Sequence, residues 1–201
     1  MEKTKPAICV FCGSSHGAKP AYAQAAARLG TLIGQRGFSL VFGGGNVGLM
    51  GEVARSAHEA GARVLGVLPS FLQHLEQPLK TAEELVVVPD MQQRKAIMLA
   101  RSDAFIVLPG GLGTFDEIFE VLSTAQLQVH KKPIVLVNTE GYFAHFETLI
   151  ARIVREGFAI RNIENFYRIL QTPEAALDFV SVSLGESPAP RADAAFEADK
   201  Q

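Results

Sequence analysis

The sequence predicts an α/β protein: a single-domain, Rossmann-like, doubly wound parallel sheet with helices on both faces. Three observations carry that prediction. Short apolar runs alternate with helical patterns along the chain, the runs are nearly continuous in hydrophobicity, and glycine-rich turns follow several of them. Continuous apolar runs are what parallel strands covered on both faces require. The order βαβα then gives right-handed crossovers.

Taken in order, the strands are expected at Ala7 to Cys12, Phe38 to Phe42, Arg63 to Leu68, Glu84 to Val88, Ala104 to Leu108 and Pro133 to Val137. Helices are expected near Ala21 to Gln35, Gly48 to Ala60, Met91 to Arg101, Phe115 to His130 and Tyr142 to Glu156. A weaker strand near Phe166 to Leu170 and a helix from Pro173 to Val182 follow. The chain of 201 residues suits one domain over 1–184. The segment 185–201, with Ser-Pro-Ala-Pro and scattered charges, reads as a disordered tail.

A formal net charge of −2 gives no electrostatic footprint for a nucleic-acid backbone or an acidic membrane, so neither is expected as a partner. Met1 to Pro6 is short and charged, without an apolar secretory region, and no apolar run reaches bilayer length. A cytoplasmic location is expected. Cys9 and Cys12 form a C-x-x-C inside a predicted strand. Residues three apart on a strand face opposite ways, so the sulfurs cannot pair, and no second cysteine pair completes a zinc site. Both read as small core residues, and no metal is expected.

In such sheets ligands bind beyond the carboxyl ends of the strands. Three loops there are rich in glycine or hydroxyls: Gly13-Ser14-Ser15, Gly43-Gly44-Gly45-Asn46 and Gly110-Gly111-Leu112-Gly113-Thr114. Glycine admits close backbone approach, and helix N-termini point free N–H groups outward, so the three together suggest an anion cradle. Two familiar motifs fail on context. Gly43 to Gly48 matches G-x-G-x-x-G, yet the next strand ends Val67-Leu68-Pro69-Ser70 without the acid that holds a dinucleotide ribose. Gly13-Ser14-Ser15-His16-Gly17 matches a nucleophile elbow, but His130 reads as part of a solvated helix end and His145 lies beside Phe143 and Phe146 on a helix face. Ser14 and Ser15 make better hydroxyl donors to a phosphate.

Asp90-Met91-Gln92-Gln93 reads as an N-cap with Gln at the third position. It places Arg94 and Lys95 just inside a helix N-terminus, where cations oppose the helix dipole at a cost of about 0.3–1 kcal/mol each. A neighbouring anionic ligand would reverse that sign. At the last loop, Thr114 and Glu117 fit a second capping box, which by itself gives Glu117 no catalytic role.

Met91-x-x-Arg94-Lys95 followed by Pro109-Gly-Gly-x-Gly-Thr-x-x-Glu117 resembles the paired motif of the LOG ("Lonely guy") family of cytokinin riboside 5′-monophosphate phosphoribohydrolases. The resemblance runs from the first strand to about Phe158. It includes Cys-Gly-Ser-Ser, Gly-Gly-Gly-Asn-x-Gly-Leu-Met-Gly and Ser102-Asp103-Ala104-Phe105. It implies hydrolysis of the N-glycosidic bond of a nucleoside 5′-monophosphate, with Arg94 and Glu117 as the catalytic pair. It makes Lys95 and the stretch Gly111, Leu112, Gly113, Thr114, Phe115, Asp116 and Glu117 nucleotide-binding, with Gly110 beside them. It places Glu76 at a substrate-contacting glutamate. Ser123 stands where plant members have threonine, and Leu112, Phe115 and Asp116 depart from the commoner plant choices. Ser14, Gly44 and Gly45 come from the other two loops. The resemblance further implies a homodimer with the site near the interface, and no cofactor. Two other readings stand beside it: a non-catalytic nucleotide-binding or carrier protein, and a pyridoxal-phosphate lysine decarboxylase, a label some relatives carry, for which no Schiff-base lysine stands out.

Overall fold

Seven strands pair, all parallel, in the order β4-β3-β2-β1-β5-β6-β7 in the computed structural model, which describes residues 5–79 and 82–185. They are β1 (Ala7–Phe11), β2 (Ser39–Phe42), β3 (Val64–Pro69), β4 (Glu84–Val88), β5 (Ala104–Val107), β6 (Ile134–Val137) and β7 (Arg168–Leu170). The helices are α1 (Pro20–Gln35), α2 (Gly48–Glu59), α3 (Gln73–Glu76), α4 (Met91–Ala100), α5 (Leu112–Gln126), α6 (Ala144–Arg155) and α7 (Pro173–Ser183). The expected tail lies outside the described residues from 186 onward. Among the described residues no helix is long and apolar enough to cross a membrane.

Burial explains which strands the sequence shows clearly. β3, β5 and β6 are buried at every position, so selection for apolar side chains acts on both faces. β4 alternates exposed and covered positions and β7 is partly exposed, as edge strands are. One face of the sheet packs α1, α2 and α7 through Leu29, Ile33, Val53, Ala57, Leu177 and Val180. The other packs α4, α5 and α6 through Met98, Ile118, Val121, Leu122, Phe146 and Ile150. Cys12 belongs to the first layer and Cys9 to the second, both as free thiols, which is the two-faced placement their spacing predicts.

Several boundaries differ from expectation. The segment 70–76, expected as a loop, forms a 3₁₀ turn (Ser70–Leu72) and the single turn α3. The expected strand at Phe166 begins only at Arg168, because Ile163–Phe166 is a 3₁₀ turn. The largest shift is α5, which starts at Leu112 and not Phe115: Gly111 is its N-cap, and no side chain caps it. Thr114 and Glu117 therefore lie inside the helix and form no capping box.

The direction of winding reverses between β1, the central strand, and β5 beside it. Loops leaving adjacent strands in opposite directions open a crevice there, where ligands bind in such sheets.

Candidate active site

The three glycine loops converge on one residue. Gly13 donates its N–H to the carbonyl of Pro109 (3.1 Å), and its own carbonyl accepts from the amides of Leu49 (3.0 Å) and Met50 (3.3 Å) at the start of α2. The contact is too close for side chains. A Cβ on Gly110 would lie 2.1 Å from Thr114 Oγ1, and one on Gly48, at φ +56°, would lie 2.2 Å from the backbone of Ser14. Glycine is thus a steric requirement of the junction as well as a route to ligand approach.

Two adjoining hollows open over this junction and share Gly13, Ser14 and Gly111. The first, about 190 Å³, is walled by Arg94, Glu117, Thr114, Gly43 and the methionines 50, 91 and 98. The second, about 260 Å³, lies between Ser15, His16, Tyr22 and Tyr142. The α5 N-terminus, with Gly111, Leu112, Gly113 and Thr114, borders the first hollow. Its leading N–H groups have no intrahelical acceptors, so they are available to an anion.

Arg94 is held from below. Asp90 caps α4 by accepting from Gln93 N (2.8 Å), which fixes the helix start. Arg94, 5% exposed, then turns inward, and its Nη2 donates to the carbonyl of Gly43 (3.1 Å). Met91 and Met50 sulfurs pack against the same guanidinium. Its buried Nε has no hydrogen-bond partner. A buried cation with an idle donor is costly unless a ligand or carboxylate completes it.

Glu117, 9% exposed, faces the same hollow from the second turn of α5. Burial pushes its carboxyl up to about 7; the Arg94 cation pulls the other way, and Asp116 adds to the rise. Desolvation outweighs attraction, so the carboxyl titrates around neutral pH instead of well below it. A carboxylate poised near working pH is suited to proton transfer and to facing a developing cation. Cys12 also lines the hollow, but burial first, then Glu117, raise its thiol well beyond reactivity.

The other expected residues divide. Ser14, Gly111, Leu112, Gly113 and Thr114 line the first hollow, and Gly110 the second. Gly44 and Gly45 are buried beside it and bond the strap at 77–79 instead: Gly44 O accepts from Leu79 N, and Gly45 bridges Pro78. Lys95 lies behind the wall, its Nζ held by Asp116 (2.9 Å) and Glu120 (2.8 Å). Phe115 packs on Tyr142, Phe143 and Phe146. Ser123 is exposed and bonds Glu120 O. The side chain of Glu76 lies outside the described residues. His130 and His145 reach neither hollow, which removes the serine-hydrolase reading. His130 is no solvated helix end either, being half-buried against Phe105.

Sequence reasoning placed Gly43 in a glycine loop but not as the carbonyl that seats Arg94, and it missed Tyr142, whose hydroxyl donates to Gly110 O (2.5 Å) and anchors the loop before α5. Gly43 was visible as the first glycine after β2; nothing in the sequence marked Tyr142. Among the described residues no group of three His, Cys, Asp or Glu side chains could hold a metal ion.

Comparison with known proteins adds the context. A family model described as "possible lysine decarboxylase" matches residues 50–180. The chain is 50% identical over 161 residues to the cytokinin riboside 5′-monophosphate phosphoribohydrolase LOG7 of Arabidopsis thaliana, covering 79% of this chain and 74% of that one. It is 44% identical over 171 residues to the probable enzyme of that name LOGL2 of Oryza sativa subsp. japonica, covering 85% and 70%. Among solved structures, the molybdenum cofactor binding protein of Rippkaea orientalis superposes with a TM-score of 0.72 at 26% identity, covering 90% of this chain and 99% of that chain. The description of the family model implies pyridoxal phosphate, and the residues do not fit it. No lysine lines either hollow, and Lys95, the nearest by sequence, is doubly ion-paired with its amine pushed upward by Glu120 and Asp116. A Schiff-base lysine needs the opposite shift.

Proposed function

The chain belongs to the LOG family of cytokinin riboside 5′-monophosphate phosphoribohydrolases, and on that premise we propose that it hydrolyses the base–ribose bond of a nucleoside 5′-monophosphate. The products are free base and ribose 5-phosphate, and AMP and its N6-prenylated forms are the substrates the reading names. The observation that carries it is the buried pair Arg94 and Glu117 facing one hollow at the N-terminus of α5.

The chemistry follows from those groups. The 5′-phosphate docks on the free amides at Gly111 to Thr114 and on Ser14, which fixes C1′ in the first hollow. As the C1′–N bond breaks, its electron pair leaves with the base, and C1′ gains oxocarbenium character. Ionised Glu117 stabilises that cation and takes a proton from the attacking water, whose oxygen bonds C1′. The departing base ends protonated by solvent. Arg94, its guanidinium seated on the Gly43 carbonyl, keeps a fraction of Glu117 ionised. No metal or organic cofactor enters this scheme.

A homodimer with the site near the interface and a cytoplasmic location belong to the same reading. Support for the dimer is apolar surface on α5 beside the site: Leu112 is 90% exposed and Phe119 is exposed too. Sedimentation at micromolar concentration tests it; a monomer that turns over normally ends that part.

One structural likeness favours a second reading, a carrier that binds without cleaving, since the Rippkaea protein is described by what it binds. The identity of 26% there, against 50% to the plant enzyme, makes it the weaker one. Chromatography of AMP and N6-isopentenyl-AMP reactions, with Glu117→Ala alongside, decides. Base release that vanishes in the variant supports the hydrolase, and tight binding without release supports the carrier.

A further inference from the structure

One hollow among the described residues lies far from the glycine loops. About 480 Å³ in volume, it opens at the amino ends of β6 and β7, the opposite edge of the sheet from the catalytic hollow. Its walls are Pro133, Ile134, Phe166, Tyr167 and Phe179, and its rim carries Lys131, Lys132 and Arg168. No acidic side chain lines it.

The cations differ in what already occupies them. Lys132 Nζ donates to Leu99 O (2.6 Å) at the end of α4, so part of its charge serves that helix terminus. Arg168 Nη1 donates to the carbonyls of Glu164 (3.2 Å) and Tyr167 (2.9 Å), and its guanidinium lies over Phe179, 5.7 Å from the ring centre. The rest of its fork faces no carboxylate: among the described residues neither Arg168, Lys131 nor Lys132 forms an ion pair. His130 adds no charge. Its Nε2 donates to Val121 O and its Nδ1 accepts from Lys132 N, which is the neutral ring, and burial favours that form. The negative groups nearby are Glu164 and Glu147, whose charge reaches Tyr167.

A hollow of drug-like size with aromatic walls and unpaired cations at its mouth is built for one class of ligand. We propose that it is a second binding site, for a small aromatic anion: a ring carrying a phosphate or carboxylate. The ring packs against Phe166 and Phe179, with buried Tyr167 behind them, and the anion bridges Arg168 and Lys131. Arginine suits the role, since its planar fork matches either group.

Phenyl phosphate titrated into the full-length, isotopically labelled protein tests this by amide shifts, with ribose 5-phosphate, the product of the proposed reaction, present to fill the catalytic hollow. Saturable shifts at Lys131, Lys132, Tyr167 and Arg168 are expected, weakened tenfold or more in Lys131→Glu and in Arg168→Glu. Benzyl alcohol, the neutral counterpart, should not saturate. Base release from AMP checks that each variant is folded, and Arg168→Ala replaces the reversal if it is not. Shifts confined to Gly111–Thr114, equal binding of benzyl alcohol, or affinity unchanged in both variants would each overturn the proposal.

Discussion

At the scale of single residues, Glu117 sets two opposed demands. Its carboxyl ionises near 7 in the folded protein and near 4.5 in the unfolded chain, so the folded state holds the proton more tightly. The stability this gives is complete below about pH 4.5 and is lost as pH rises through about 7. At ~1.4 kcal/mol per tenfold, the loss reaches about 3 kcal/mol. Glu117→Gln should match the parent in urea melts at pH 4 and exceed it by that order at pH 8; an equal gap at both would remove the burial argument. On the proposed mechanism only the ionised form assists water, so kcat/KM should rise through an acid limb centred near 7; a profile flat from pH 5 to 8 would remove Glu117 as the base. Gly43 couples function to stability. A Cβ there meets Arg94 Nη2 at 1.9 Å, and the buried guanidinium can yield only by giving up its bond to the Gly43 carbonyl. Gly43→Ala should cost about 1–3 kcal/mol in urea melts. On the proposed mechanism it should also lower kcat by roughly 10–100-fold, about 1.4–3 kcal/mol of transition-state stabilisation. Unchanged stability together with full activity would mean that the guanidinium has another seat.

Between elements, the tightest constraint is α1 against α2. A Cβ on Gly30 would lie 2.2 Å from the carbonyl of Val53, and backbone cannot swing aside as a side chain does. Gly→Ala in a helix normally stabilises by ~1 kcal/mol, while forcing packed elements apart costs ~1–3 kcal/mol. With backbone as the obstacle the second effect wins, so Gly30→Ala should lower the urea midpoint; a raised midpoint would show that the helices part easily. The same scale shows what was legible in the sequence. β3, β5 and β6 were plain because burial on both faces leaves only apolar positions, and Arg94 stood out because a cation at a helix start needs a reason. The start of α5 was not legible. Thr114 and Glu117 have the spacing of a cap, yet Gly111 already has the extended geometry of an N-cap, and local pattern does not reveal which of two adequate starts tertiary packing selects. Lys95 looked like a ligand-binding cation for the same reason as Arg94. Only the approach of α5 shows that Asp116 and Glu120 already satisfy it. Tyr142 was invisible because its partner is a carbonyl 32 residues away.

For the whole molecule, topology decides when the site comes into being. β1 pairs with β2 on one side and β5 on the other, and the second pairing joins Ile8 to Ala104. Closing so long a loop is entropically the slower event, although local helices form early. The catalytic hollow straddles that seam, with Ser14 from one side and Glu117 from the other. In refolding from urea, helical circular dichroism should therefore recover before nucleotide binding does; simultaneous recovery would mean the β1–β5 seam forms with the helices. Biosynthesis meets the same seam in a fixed direction. A nascent chain carries Arg94 out of the ribosome before Glu117 exists, and β1 waits unpaired on one edge until β5 arrives. On the proposed mechanism the half-made protein owns Ser14 and an arginine but neither the α5 amides nor the acid to use with them, so hydrolytic competence arrives with completion of the sheet and needs no inhibitor to restrain it during translation.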